Sequence, residues 1–92
     1  MKNKIQEAFQ VIKEAYKETI KRNNEDWQPI VSTKKQLEYC MEALLNQNDR
    51  SRLKDIMFYQ YAVHEFEDND PNYAELLHKA SAIVEQMKLG NL

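Results

Sequence analysis

The side chains able to do chemistry are few in this 92-residue chain: two histidines, His64 and His78, and a single cysteine, Cys40. No His-x-x-x-His pair occurs, the spacing that sets two metal ligands on one helix face. His64 and His78 fall on different predicted helices. A two-histidine site between those helices would draw on Glu65 or Glu75; two partly exposed histidines in a helical protein account for the same residues, and no metal site is expected. Cys40 falls on an apolar stripe, which reads as a small buried hydrophobe, whereas a nucleophilic cysteine needs an accessible, electropositive setting with a base beside it. Ser32, Thr33 and Ser51 read as helix caps, and there is no glycine-rich phosphate loop. The chain is therefore expected to be no enzyme and to need no cofactor.

Two charged clusters are more informative. Arg50-Ser51-Arg52-Leu53-Lys54 puts three bases at a predicted helix start, where they oppose the macrodipole by about 0.3–1 kcal/mol each. A phosphate or nucleic-acid contact is one use for them; tying down the preceding loop is another. The run Glu65-Phe66-Glu67-Asp68-Asn69-Asp70 sets acids at the C-terminal end of a predicted helix, where Lys or Arg would be favoured. A local rule broken without visible compensation points to function, although Asp70 can also serve simply as the cap of the next helix.

The composition limits what these clusters can serve. Net charge is −2, against the clustered bases that hold a phosphate backbone. Residues 1–46 carry eight bases and seven acids, and residues 47–92 five bases and eight acids. No nucleic-acid partner is expected. One cysteine excludes an intrachain disulfide, and no apolar run is long enough to span a bilayer; a reducing cytoplasm is the expected setting, without a membrane partner.

One Gly and two Pro, with abundant Glu, Lys, Gln, Ala and Leu, predict an all-α chain. Over about 3–24, Ile5, Phe9, Ile12, Tyr16 and Ile20 recur at helical spacing, Ala8 and Ala15 alongside; Glu14–Lys17 and Glu18–Lys21 can pair across a turn, and Asn23-Asn24 marks a stop. Pro29 predicts a non-helical strap over 27–31 with Trp27 as its plug. A second helix over about 33–47 is then capped by Thr33 and Gln36 in the form of a capping box, with Leu37, Cys40, Met41, Leu44 and Leu45 inward. Asn46 to Asp49 reads as a turn. A third helix, about 50–68, is apolar on two faces, through Leu53, Ile56, Met57, Tyr59, Val63 and Phe66 and through Phe58, Tyr61 and Ala62; it is expected at the centre of the fold. Asp70-Pro71 opens a fourth, about 71–89, closed by Gly90. One domain over 1–92, a single four-helix up-down bundle with short loops, is the expected architecture.

Three ordered pieces carry a resemblance: Lys35-Gln36-Leu37-Glu38-Tyr39, then Asp49-Arg50-Ser51-Arg52-Leu53, then Ala62-Val63-His64-Glu65-Phe66 with Asp70-Pro71 shortly after. Over about 33–80 the chain resembles the small helical immunity proteins of bacterial type VI secretion systems that protect against an NAD(P)-degrading effector. The resemblance implies a non-enzymatic protein that binds a cognate toxin domain, an NAD(P) glycohydrolase, and blocks its active site. It departs from that pattern at Tyr59, where a small residue is expected, and the first helix matches in pattern alone. An acidic partner suits a toxin whose cleft binds a phosphate-bearing cofactor, so the expected contacts are Glu65, Glu67, Asp68 and Asp70, with Tyr61 or Tyr73 as aromatic anchors. The competing readings are a helical interaction module or homo-oligomeric adaptor using Phe58 and Tyr61, and a nucleic-acid-binding regulator using Arg50, Arg52 and Lys54. The oligomeric state is not fixed by the sequence.

Overall fold

Ala8, Ile12, Ala15 and Thr19 recur at steps of three and four, and they form the buried line of helix α1, Lys4–Lys21. The computed structural model describes residues 3–22, 26–46 and 49–92. Asn3 starts α1 by accepting the Ile5 N–H on its side-chain oxygen at 2.8 Å, satisfying one of the donors that a helix start leaves open. The buried line runs through small residues because α1 packs along both α2 and α4. The larger Ile5, Phe9 and Tyr16 sit beside it, half-buried, and Ile20 is 42% exposed. The pairs Glu14–Lys17 and Glu18–Lys21 form at 3.7 and 2.9 Å. The predicted stop at Asn23-Asn24 lies outside the described residues, as do Gln47 and Asn48 of the predicted turn.

Helix α2 spans Gln28–Leu45, five residues earlier than its predicted start. Pro29 falls in the first turn, where its missing N–H is one that has no partner inside the helix anyway. The expected strap over 27–31 is thus the first turn of α2, with Trp27 at the cap position. Thr33, expected as a cap, is fully buried inside the helix. The Gln36 amide does not reach back to it but donates to Ser32 Oγ at 2.8 Å and accepts the Met57 N–H at 2.7 Å.

That last bond is part of the reason the third helix is much shorter than predicted. From Arg50 to Met57 the chain is irregular, with a 3₁₀ turn at Leu53–Asp55; α3 covers Phe58–Tyr61 and runs into a π segment, Ala62–Phe66. Backbone N–H groups that a helix would otherwise use are taken by side chains. Asp49 Oδ1 accepts from Ser51 N and Oγ, the Tyr39 hydroxyl accepts from Arg52 N, and Gln36 accepts from Met57 N. Such bonds offer the backbone an alternative to helix. Arg50 does tie the connection down: its guanidinium donates to the Ala43 carbonyl near the end of α2 and to the Leu92 carbonyl, a cation at the helix end where it is favoured.

The π segment is closed by the Glu67 N–H on the Ala62 carbonyl at 2.9 Å, a five-residue step. The widened turn brings residues four apart close to one line, and Phe58, Ala62 and Phe66 all point inward. This element covers one side of the bundle; α1, α2 and α4 supply most of the core. Helix α4, Pro71–Lys88, begins at Asp70-Pro71 as predicted. It ends in a Schellman motif, with Asn91 N–H on Gln86 O, Gly90 N–H on Met87 O, and Gly90 at φ +82°, a conformation that glycine takes without strain. The architecture is all-α, with four helices, compatible with a helical bundle and with no strand among the described residues.

Candidate partner-binding surface

The acidic run sits where the π segment opens into the turn before α4. Its six candidate contact residues divide by what holds them. Asp70 faces the end of α1, where Arg22 donates to it twice, Nε to Oδ2 at 2.5 Å and Nη2 to Oδ1 at 3.0 Å. The Arg22 guanidinium beside Asp70 holds its carboxyl below the usual carboxylate range. Arg22 also bonds the Glu18 carboxylate at 3.0 Å and lies 4.4 Å over the ring of Tyr73. Asp70 is therefore a strut between α1 and α4 rather than an open contact.

Tyr73 is 0% exposed, which corrects the expectation that it anchors a partner. Its ring packs edge-on against Phe66 at 4.8 Å, and Phe66 meets Trp27 in the same manner at 5.5 Å. The hydroxyl lies 2.6 Å from Thr19 Oγ1, which gives its own proton to the Ala15 carbonyl; the Tyr73 O–H is then the donor. Burial pushes this phenol up to about 12. Phe58, the other aromatic offered for an adaptor interface, is also fully buried.

Glu65, Glu67, Asp68 and Tyr61 remain at the surface. Asp68 is exposed and Glu65 half-buried, and neither has an ion-pair partner among the described residues. Glu67 reaches α4, its Oε1 lying 3.0 Å from His78 Nε2. His78 in turn holds Tyr59 edge-on at 5.3 Å, and Tyr59 is 53% exposed. Tyr61 is half-buried against the core. Sequence reasoning passed over Tyr59 and His78 as contacts because nineteen residues separate them and no local pattern joins them. It also read Trp27 as an internal plug, yet Trp27 is 39% exposed.

The chemistry available elsewhere is limited. Burial pushes the Cys40 thiol up to about 12, leaving it protonated at neutral pH. Glu75 pairs with Lys79 at 3.6 Å. Among the described residues no group of three or more His, Cys, Asp or Glu is placed to hold a metal ion, and no helix is long and apolar enough to cross a membrane.

This is a helical scaffold with an acidic end, and the Tsi6 family model matches it over residues 2–86. The chain belongs to the Tsi6 family. Tsi6 proteins are immunity proteins of type VI secretion, inhibitors rather than catalysts, and membership implies a toxin protein as partner. No curated protein and no solved structure matches the chain. Within this Tsi6 chain the three sequence pieces that carried the resemblance are mostly internal struts. Gln36 and Tyr39 pin the 49–57 connection, Leu37, Leu53, Ala62 and Phe66 are buried, and Arg50 and Asp70 are engaged with other elements. In the last of those pieces Glu65, with Asp68 just beyond it, carries acidic charge without an ion pair among the described residues.

Proposed function

We propose that this chain is the antidote to an NAD(P)-degrading toxin, binding the toxin domain and covering its active site. Membership of the Tsi6 family over residues 2–86 is the observation that carries this reading. The surface supports it: Glu65, Glu67 and Asp68 project negative charge from a braced helical end, and a toxin cleft that holds a phosphate-bearing dinucleotide presents positive charge. Complementary fields steer such partners together and fix their orientation. The brace matters as much as the charge, because a surface already held in place loses little freedom on binding. The chain acts as one helical unit over 1–92, in the cytoplasm of the cell that makes the toxin, and performs no reaction itself.

The test is co-expression with the toxin domain encoded beside it, following cell survival and NAD(P) together. Survival with NAD(P) preserved is expected. Survival against a toxin that alone leaves NAD(P) untouched would overturn the toxin chemistry, and no protection would overturn the antidote reading.

A further inference from the structure

The Arg22–Asp70 strut and the Trp27–Phe66 contact bring the end of α1, the start of α2 and the start of α4 to one end of the molecule. That end carries a large aromatic side chain in the open. Trp27, the single tryptophan of the chain, stands at the cap position of α2 and is 39% exposed. It is also braced. Its ring meets Phe66 edge-on at 5.5 Å, Phe66 meets the fully buried Tyr73 at 4.8 Å, and Arg22 lies 4.4 Å over Tyr73. The exposed ring is thus the outer member of a stack that begins at the strut. An aromatic held before binding provides contact area at small entropic cost. Tryptophan is also among the side chains most enriched where binding energy concentrates.

The acids flank the same contact. Phe66, on which Trp27 rests, lies between Glu65 and Glu67 in the sequence. Glu67 turns to α4, where it meets His78. Two residues on a helix are roughly half a turn apart, so Glu65 leaves on the flank away from α4. Asp68 is exposed, and neither it nor Glu65 has an ion-pair partner among the described residues. Arg22 does not neutralise them, being committed to Asp70 and Glu18. A held planar ring and negative charges therefore share one end of the molecule. A dinucleotide offers its enzyme the same two kinds of group. The cleft that takes it joins an apolar slot for a ring to donors and cations for the phosphates.

We infer that Trp27 enters the slot of the toxin that takes a flat ring of NAD(P), with Glu65 and Asp68 facing the cations that hold its phosphates. The chain then blocks the cleft by occupying it. The inference rests on the antidote reading above and names the aromatic anchor of that same surface.

The test uses the purified toxin domain encoded beside the chain, the full chain, and its Trp27→Ala and Trp27→Phe variants, with the melting temperature of each. Acrylamide quenching reports Trp27 alone once the emission of a complex made with Trp27→Phe is subtracted, since the chain has one tryptophan. Trp27 is expected to be open to acrylamide in the free chain and shielded in the complex. Trp27→Ala is expected to raise the concentration needed for half-inhibition on the order of tenfold, and Trp27→Phe, which keeps a ring, by less. Toxin first saturated with ADP-ribose, which carries the adenine ring and both phosphates, is expected to bind the parent chain on the order of tenfold more slowly. Inhibition by a parent whose Trp27 stays open to acrylamide would overturn the anchor while leaving the antidote reading intact. So would parent-like inhibition by Trp27→Ala. A shielded Trp27 with association unchanged by ADP-ribose would place the ring outside the cleft and overturn the slot. A parent chain that does not inhibit the toxin would overturn the inference together with the antidote reading.

Discussion

Arg22 reaches from the end of α1 to Asp70 with two hydrogen bonds and lays its guanidinium over Tyr73. Arg22 and Asp70 are 48 positions apart, so no local pattern announces the pair. Asp70 and Tyr73 therefore look like free members of an acidic, aromatic stretch when they are in fact committed. Glu65 and Asp68, with no such partner among the described residues, keep their charge for solvent or for another molecule. The pair has a pH signature. The folded pKa of Asp70 is depressed, chiefly by its hydrogen bonds to Arg22, so between the folded and unfolded values the unfolded chain binds more protons and stability rises with pH. The contribution is complete above about pH 3.9, the ordinary aspartate value, and is lost as pH falls through the lower folded one. Both side chains are about a third exposed, which limits it to on the order of 1 kcal/mol after solvent screening. Asp70→Asn should accordingly lower the urea midpoint at pH 7, and the gap to the parent should close as the pH approaches 3. A gap that stays constant would mean Asp70 acts through something other than its charge.

The elements differ in how far their sequences disclose them. Helix α4 was legible because Asp70-Pro71 and Gly90 impose its ends through backbone geometry, and those residues need no knowledge of the rest of the fold. The start of α2 was not: Pro29 excludes helix interior but is compatible with a first turn, and the choice depends on what Trp27 and Ile30 can pack against. The third helix was misjudged for a different reason. Its apolar content is real, but the N–H groups of Arg52 and Met57 are captured by Tyr39 and Gln36 on α2, and such bonds are visible only once α2 is in place. Gln36→Ala isolates this effect. It leaves the Met57 N–H without its protein partner, for an expected loss of about 1–2 kcal/mol. The amide of Met57 should lose its protection against hydrogen exchange while Glu65, Glu67 and Asp68 keep their positions. Full protection at Met57 in that variant would show that the connection is held by other contacts.

For the molecule as a whole, the residues that identify the chain and those proposed to meet the partner are different. The ordered pieces around Gln36, Arg50 and Phe66 are internal fastenings, which is why they were legible as a family pattern and why they say little about the partner. The surface proposed for the partner is built instead from Glu65, Glu67 and Asp68. The π segment joins the two sets: it lines Phe58, Ala62 and Phe66 up on the core and turns the acids that follow outward. Such widened turns frequently accompany functional sites. The antidote reading requires that this acidic end, and not merely a folded bundle, stops the toxin.

The most direct test titrates the purified toxin domain's NAD(P) turnover with the parent chain and with a Glu65→Lys/Asp68→Lys variant, at matched helical content by circular dichroism. The account predicts that the parent abolishes turnover near one equivalent. The double variant, with both charges reversed, should need a concentration at least tenfold higher, a shift of about 1.4 kcal/mol or more. Equal inhibition by the two proteins would contradict the account, because the toxin would then be held by a different face of the bundle.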